Sequence, residues 1–284
     1  MGTHVKTGKI LVLLLVAFLL SSNISYAKSE VEPVLVFGIV PQQSASKTAE
    51  NWNPLLRQLS KITGYTIRFA TAKDIPTFEK QLAESVYDLA YMNPYHYTVF
   101  HKKPGYLGIA KEDGAQLKSI IVTRKDSPYQ KLQDLHDLTL AFPAPSSFAA
   151  TVLPLIHFAK LGINVKPKYV ESHASAYYFV SQGIVPAAGG VISTYETLPD
   201  EIKSQLRIIW TSKSYTPHAI AAHPRLPKKV IGKISKALVS LNEDAEGKTA
   251  LAAINFKGFT SAKDKDWDDI RALHITNLDH LLKE

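Results

Sequence analysis

Residues 138–151 read LTLAFPAPSSFAAT and hold the clearest structural signal in the chain. Leu138–Phe142 is an apolar run typical of a buried strand, and the prolines after it end that strand. We predict a helix over 147–161, so Ser146 and Ser147 lie where this helix begins. Their hydroxyls and the unpaired amides of a first helical turn then meet at one place. Such a junction suits an oxyanion, and plain helix capping is the alternative.

The same alternation of short apolar runs and amphipathic segments recurs on both sides of this stretch. It predicts an α/β fold built on mainly parallel sheets flanked by helices, in which ligands bind beyond the carboxyl ends of strands. The predicted strands are 34–40, 66–70, 89–91, 168–170, 187–192 and 207–211, and the predicted helices are 49–63, 75–85, 172–182, 228–242 and 245–253.

Two further strands are predicted where the chain passes between two such series, at Ser119–Thr123 and at Ala219–Ala222. Because the pattern restarts after the first and closes after the second, we expect two lobes with a ligand cleft between them. The first lobe is then discontinuous, residues 28–119 plus 220–284, and the second is inserted, residues 120–219.

The N-terminal residues are predicted to form a secretion signal. Lys6 and Lys9 precede the apolar run Ile10–Leu20, and the small residues up to Ala27 follow it. The run is shorter than the roughly 20 residues that span a bilayer. We therefore expect residues 1–27 to be a signal peptide cleaved near Ala27, and the lack of cysteine excludes a lipoprotein anchor.

Composition excludes several classes of function. The chain has no cysteine, so it forms no disulfide and no thiolate metal site. Cleavage would lower the formal net charge from +8 to about +6, with the basic residues scattered, so nucleic-acid binding is not expected. An anionic solute fits this charge, as does an ordinary basic surface. No histidine spacing or acid–base pair indicates an enzyme, and we expect neither a cofactor nor a resident metal.

Polar residues at the predicted strand ends are the candidate ligand-binding groups. In the predicted first lobe, Asn93 would cap a helix that starts at Pro94. In the second, His173 lies near a helix N-terminus and should be neutral. For each candidate, helix capping or packing is the alternative. The complete set is Gln42, Gln43, Ser44, Asn93, Tyr95, Ser146, Ser147, His173 and Thr194.

The order of the segments Phe37–Pro41, Tyr87–Pro94, Leu132–Leu135 and Ala141–Ser147 resembles the phosphate/phosphite/phosphonate-binding (PhnD-like) family of ABC-transporter substrate-binding proteins. The resemblance implies a two-lobed type II periplasmic-binding fold in the periplasm. It also implies a monomer that captures a small oxyanion and delivers it to a permease in the inner membrane. A Ser/Thr-rich loop and a histidine hold the anion in that family, which implies Ser147, with Ser146 adjacent, and His173 here.

The chain departs from the family pattern at two places. Residues 147–150 read SFAA where the family pattern resembles Ser-Thr-Ser-Gly, so fewer hydroxyls are present for a fully ionised phosphate. Pro186–Gly190 lacks the carboxylate that aminophosphonate binders carry, so 2-aminoethylphosphonate is disfavoured. A different or less charged oxyanion, or an organophosphonate with an apolar tail against Phe148, stays open as the ligand. Two other roles stay open, namely ligand presentation to a sensor kinase and ferric-ion binding through Tyr177, Tyr178 and His173.

Overall fold

The computed structural model describes residues 34–282. The predicted signal peptide, residues 1–27, lies outside this range. Within it, eleven strands form two sheets, with strand orders β11-β4-β10-β3-β1-β2 and β7-β6-β8-β5-β9. The strands are β1 Leu35–Ile39, β2 Ile67–Ala70, β3 Leu89–Met92, β4 Leu107–Glu112, β5 Ser119–Arg124, β6 Thr139–Phe142, β7 Lys166–Tyr169, β8 Ala187–Val191, β9 Leu206–Thr211, β10 Ala219–Ala222 and β11 Phe259–Ser261.

Helices flank both sheets. The helices that the sequence pattern predicts are present. Most of their ends differ from the prediction by a few residues. The helices are α1 Ala45–Thr63, α2 Ile75–Ala83, α3 Pro94–Lys102, α4 Leu153–Lys160, α5 His173–Ser181, α6 Ile192–Glu196, α7 Asp200–Lys203, α8 Lys228–Ser240, α9 Ala245–Ala253 and α10 Asp268–Arg271. No helix in residues 34–282 combines the length and the apolar character needed to cross a membrane.

Both sheets are mixed, so the expectation of mainly parallel sheets is wrong. β1 pairs in parallel with β2 and β3, as β6 does with β7 and β8. The pairs β10–β3, β10–β4, β11–β4, β5–β8 and β5–β9 are antiparallel. The reason is topological. Helical connections join the parallel strands within one sheet, whereas β5 and β10 enter from the other sheet and run in the opposite direction.

The predicted helix 147–161 is not a single α-helix. Phe148–Val152 is one turn of π-helix, and α4 continues from Leu153. The backbone N–H of Val152 donates to the carbonyl of Ser147 (3.2 Å), and that of Leu153 donates to the carbonyl of Phe148. Such wide turns occur often at functional sites. Here the wide turn places Ser147 at the start of the helix, as the sequence predicts.

The apolar core of the six-stranded sheet extends into residues that follow the second sheet's strands. Phe148 and Val191 belong to the same buried cluster as Phe37 and Leu89 of the first sheet. The Phe148 ring meets Tyr215 edge to face, with centroids 5.7 Å apart at 89°. Two separate clusters cover the faces of the five-stranded sheet. The start of the π-helix is therefore packed at the seam between the two sheets.

A pair of glycines in β8 permits close packing against this seam. A Cβ atom on Gly189 would lie 1.9 Å from the carbonyl oxygen of Ala150, and one on Gly190 would lie 2.1 Å from the hydroxyl of Tyr177. Neither separation is sterically allowed for a side chain. The glycines thus bring β8 against the π-helix on one side and against Tyr177 of α5 on the other.

Candidate functional site

A cavity of about 350 Å³ lies between the two sheets. Its wall combines the loop after β1, the start of α1, the ends of β3 and β4, and the segment after β8. Both connections between the sheets also contribute to it. The polar and charged residues on its wall are Gln42, Gln43, Thr48, Asn51, Glu112, Asn255, Gln116, Lys118, Ser193, Thr194, Thr197 and His218.

A chain of polar side chains leads from this wall into the seam. Thr194 lines the cavity, and its Oγ1 lies 3.5 Å from Nδ1 of His173. The Nε2 atom of His173 lies 3.5 Å from Oγ of Ser147. Ser172 caps α5 by accepting a hydrogen bond from the amide of Ser175, so His173 is not used for capping. Ser147 and His173 are 5% and 3% exposed.

On the opposite wall, Gln42 and His218 face each other. Their Nε2 atoms are 3.4 Å apart. The His218 ring stacks on Tyr91, with centroids 4.9 Å apart at 16°, which holds the imidazole in place. His218 follows Pro217 on the connection that returns to β10, and it lines the cavity. This histidine is absent from the sequence-based set, although its place beside a predicted crossing strand is a usable signal.

Both site histidines are neutral near pH 7. Burial lowers the pKa of His173 to about 4. Burial is the main cause that lowers the pKa of His218 to about 3. A neutral imidazole carries one N–H donor and one acceptor nitrogen, so each ring can donate one hydrogen bond to an anion without carrying charge.

The structure separates the predicted residues into two groups. Gln42, Gln43 and Thr194 line the cavity, and Ser147 and His173 connect to it through Thr194. Ser146 is buried beside Ser147, and its carbonyl accepts a hydrogen bond of 3.3 Å from Nδ2 of Asn93 across the seam. The remaining candidates are the first-sheet residues Ser44, Asn93 and Tyr95.

These three residues have structural partners. Ser44 is an exposed cap of α1 and accepts from the amide of Lys47. Asn93 caps α3, as predicted, by accepting from the amide of His96 (2.8 Å). Tyr95 is 1% exposed, and its hydroxyl accepts a hydrogen bond of 2.8 Å from the amide of Leu278. None of the three is among the residues that line the cavity.

Sequence reasoning misses the aromatic and acidic part of the cavity. Trp52, Tyr91 and Phe256 line it together with Glu112. Burial raises the pKa of Glu112 to about 7, and the positive charge of Lys257 opposes part of that rise. Glu112 ends β4, a strand that the sequence pattern does not predict.

Tyr177 and Tyr178 do not converge on a common site. The Tyr177 hydroxyl donates to the carbonyl of Val191 (3.0 Å) and accepts from its amide (2.9 Å), inside the core. Tyr178 is 47% exposed. Adjacent residues of a helix point about 100° apart, so one tyrosine lies in the core and the other at the surface, and the paired arrangement that a ferric ion requires is not formed. Among residues 34–282, no group of three or more histidine and carboxylate side chains is placed to hold a metal.

Comparison with known proteins identifies the relatives of this chain. The phosphonates-binding periplasmic protein of Escherichia coli is 24% identical over 275 residues, which cover 91% of this chain and 81% of that protein. The phosphate-import protein PhnD of Mycolicibacterium smegmatis is 22% identical over 226 residues, which cover 70% of this chain and 69% of that protein.

Solved structures show the same fold. A binding protein component of an ABC phosphonate transporter from Pseudomonas aeruginosa superposes with a TM-score of 0.79 at 22% identity, covering 86% of each chain. PhnD1 from Prochlorococcus marinus in complex with methylphosphonate gives 0.78 at 18% identity, covering 88% of this chain and 99% of that one. The chain therefore has the two-lobed type II periplasmic-binding fold.

The family model for the periplasmic substrate-binding proteins of phosphonate ABC transporters matches residues 37–267. The match begins in β1 and ends just before α10, so it includes both sheets and the whole wall of the cavity. The chain belongs to this family of periplasmic, phosphonate ABC-transporter substrate-binding proteins.

Proposed function

We propose that this protein captures a small oxyanion of the phosphonate, phosphite or phosphate type in the cleft between its lobes. It then delivers the anion, as a monomer, to the permease of an ABC transporter in the inner membrane. The family description names an ABC transporter, which favours a permease over the periplasmic domain of a sensor kinase as the partner. The predicted lobe boundaries, 28–119 plus 220–284 and 120–219, and cleavage near Ala27 are part of this proposal.

The observation that carries the proposal is a set of hydrogen-bonding side chains whose contacts with one another are long. Ser147 lies 3.5 Å from His173, and Gln42 lies 3.4 Å from His218. Thr194, 3.5 Å from His173, already donates its hydroxyl to the carbonyl of Val191 (3.0 Å), so it leaves His173 without a short partner. The three longer separations are at the outer limit of a hydrogen bond. Since buried polar groups gain from full hydrogen bonding, an oxyanion placed between them would replace weak contacts with short ones.

The charge state of these donors suits the same ligand. His173 and His218 are neutral near pH 7, so the donors are a hydroxyl, two imidazoles and an amide. Neutral, fixed dipoles bind an anion without a buried countercharge. Lobe closure around the ligand produces the shape that the permease reads.

Titration of the mature protein with methylphosphonate, phosphite, phosphate and sulfate tests the proposal. Methylphosphonate is a suitable first probe because the Prochlorococcus neighbour is in complex with it. A ligand at 100 times its Kd stabilises the folded state by about 2.7 kcal/mol, which thermal unfolding detects readily.

Ser147→Ala and His173→Ala are the informative variants, and each is expected to weaken oxyanion binding at least tenfold. Ser44→Ala is the matched control, because it removes a serine that caps a helix outside the cavity. It should lower stability by about 1 kcal/mol and leave the Kd unchanged. The proposal fails if no oxyanion raises the Tm of the wild type, or if both site variants bind as tightly as the wild type.

A further inference from the structure

A carboxyl group lies on the wall of the cavity. Glu112, the last residue of β4, lines the cavity and is partly buried. Within residues 34–282 its side chain makes no hydrogen bond and no ion pair. Because a partly buried carboxyl group gains from a hydrogen-bond partner, a ligand in the cavity is the natural source of one.

The pairing of β4 with β10 places Glu112 beside His218. Lys111 lies directly opposite Ala219 in the antiparallel register. Continuing that register by one residue on each strand brings Glu112 opposite His218. Residues opposite each other in this way have Cβ atoms about 4.5–5.5 Å apart. Glu112 therefore adjoins one of the hydrogen-bonding groups of the oxyanion site.

The alternation of side chains along the strands places both groups on the face of the sheet that borders the cavity. Ile220 lies opposite Tyr91 on one side and opposite Ala110 on the other. Because alternate residues of a strand share a face, His218 and Glu112 lie on the same face as Tyr91. All three line the cavity, and the His218 ring stacks on Tyr91. Neither ring is charged near pH 7, because burial lowers the pKa of His218 and raises that of Tyr91.

Within residues 34–282, no cation forms an ion pair with Glu112. Lys111, the residue before it, pairs instead with Asp266 at 2.8 Å. Lys118 lines the cavity with an exposed side chain, and Lys257 is exposed before β11. Burial raises the pKa of Glu112 to about 7, although the positive charge of Lys257 opposes the rise. The carboxyl group can therefore accept or release a proton near neutral pH.

We propose that Glu112 and one oxygen of the bound oxyanion share a proton, so that the site selects oxyanions that carry an O–H group near neutral pH. This inference rests on the proposed function and specifies its substrate class, the singly protonated forms of phosphonates, phosphite and phosphate. If the ligand brings the proton, its O–H donates to the ionised carboxylate. If Glu112 holds the proton, its carboxyl O–H donates to the ligand. No other bond is made or broken.

Sulfonates and sulfate are disfavoured by the same group. These anions carry no proton near neutral pH, so an ionised Glu112 would face a second negative charge with no hydrogen bond between them. A sulfonate is accommodated only when Glu112 takes up a proton from solution. Because the pKa of Glu112 is about 7, the Kd for a sulfonate should rise about tenfold between pH 6 and pH 8.

Methylphosphonate and methanesulfonate test the inference by isothermal titration calorimetry, because they have nearly the same shape and only the first can carry a proton. At pH 8 the wild type should bind methylphosphonate at least tenfold more tightly than methanesulfonate. Its Kd for methanesulfonate should rise about tenfold from pH 6 to pH 8. The site histidines do not titrate in this range, since burial lowers the pKa of His173 to about 4 and that of His218 to about 3.

Glu112→Gln assigns the selectivity to the carboxyl group. The amide N–H of glutamine donates to an oxyanion that has no proton, and it does not titrate. The variant should bind methanesulfonate at least fivefold more tightly than the wild type at pH 8, with a Kd that is constant between pH 6 and pH 8. Glu243→Gln, an exposed acid beyond α8, is the matched control and should bind both ligands as the wild type does.

Three results overturn the inference while methylphosphonate binding upholds the proposed function. They are equal affinity of the wild type for the two ligands at pH 8, a wild-type Kd for methanesulfonate that does not change with pH, and a Glu112→Gln variant that gains no affinity for methanesulfonate. If neither methylphosphonate nor any other oxyanion binds to the wild type, the proposed function fails as well.

Discussion

Leu117 and Tyr215 exchange two backbone hydrogen bonds, each of 2.9 Å, and together they form an isolated antiparallel bridge. Leu117 lies just before β5 and Tyr215 lies between β9 and β10, so the bridge joins the two connections between the sheets. Because the bridge pairs the two connections, they must bend together when the lobes move, as the segments of a hinge do. Lys118 and Pro217, each close to the bridge, line the cavity, so bending there changes the site directly.

Ligand binding is expected to close the lobes about this hinge. The radius of gyration measured by small-angle X-ray scattering should fall when methylphosphonate is added at saturating concentration, because closure makes the molecule more compact. The double variant Ser147→Ala/His173→Ala at the same ligand concentration serves as the control and should not change. Superimposable scattering curves for the wild type with and without bound ligand would contradict hinge closure.

The first glycine of the pair in β8 is expected to be irreplaceable even by alanine. Gly189→Ala places a methyl group 1.9 Å from the backbone oxygen of Ala150, so we expect a loss of about 3 kcal/mol in the free energy of unfolding. Gly232→Ala is the comparison, since Gly232 lies inside α8 and, apart from its own helix, no atom of residues 34–282 lies within 4 Å of the position that its Cβ would take. That substitution should stabilise by roughly 0.5–1 kcal/mol. Urea denaturation measures both, and equal effects would refute the steric argument.

Glu112→Gln should raise stability at alkaline pH and have little effect in acid. The folded-state pKa of about 7 is above the ordinary value of 4.5, so between these values the folded state binds more protons than the unfolded state. The free energy of unfolding therefore falls as pH rises through this range. At pH 8 the variant should gain about 1 kcal/mol after allowance for solvent screening. Thermal unfolding of the wild type and the variant at pH 5 and pH 8 checks this, and an equal difference in stability at the two pH values would contradict it.

The two buried histidines should make stability change with pH in the direction opposite to that caused by Glu112. Their folded-state pKa values, about 4 for His173 and about 3 for His218, are below the ordinary value of 6.5. As pH falls from 6.5 to 4, the unfolded chain binds protons that the folded chain does not, so the free energy of unfolding decreases. His218→Gln should make this decrease shallower. Thermal unfolding from pH 7 to pH 4 measures it, and identical slopes in the wild type and the variant would mean that His218 is not buried in the neutral form.

Tyr95→Phe tests whether Tyr95, which the sequence places among the ligand-binding candidates, contributes to stability and not to binding. The substitution leaves the buried amide of Leu278 without its acceptor, which costs about 1–2 kcal/mol. We expect a lower Tm and a methylphosphonate Kd within twofold of the wild type. Thermal unfolding measures the first and calorimetric titration the second, and a Kd raised tenfold or more would return Tyr95 to the binding site.

Much of the fold is predictable from local pattern. The bounds of β10, Ala219–Ala222, and α9, Ala245–Ala253, match the sequence-based expectation residue for residue. The start of α1 at Ala45 is missed because its first turn is exposed and polar, which hides the helical period. β4 and β11 are missed because pairing between distant segments holds them. β4 pairs with β10 on one side and with β11 on the other.

The site is predictable where it depends on strand-to-helix junctions. Gln42, Thr194 and the Ser147–His173 pair follow from that rule, and the structure places them at or beside one cavity. The aromatic residues of the cavity wall do not follow from it, because Trp52 lies inside α1 and Phe256 lies after α9, and only tertiary packing brings their rings together. Tyr95 shows the converse. It lies at a strand-to-helix junction, but its hydroxyl points toward the C-terminal segment and accepts a hydrogen bond from the amide of Leu278.

The single wide turn at Phe148–Val152 sets the rotational position of Ser147 relative to α4. A π-turn contains one residue more than an α-turn, so it can absorb a one-residue insertion while both of its ends stay in place. Ser147 would rotate about the axis of α4 if the turn were tightened. Deletion of one alanine from the turn would give a regular α-helical register and would move the Ser147 hydroxyl away from His173.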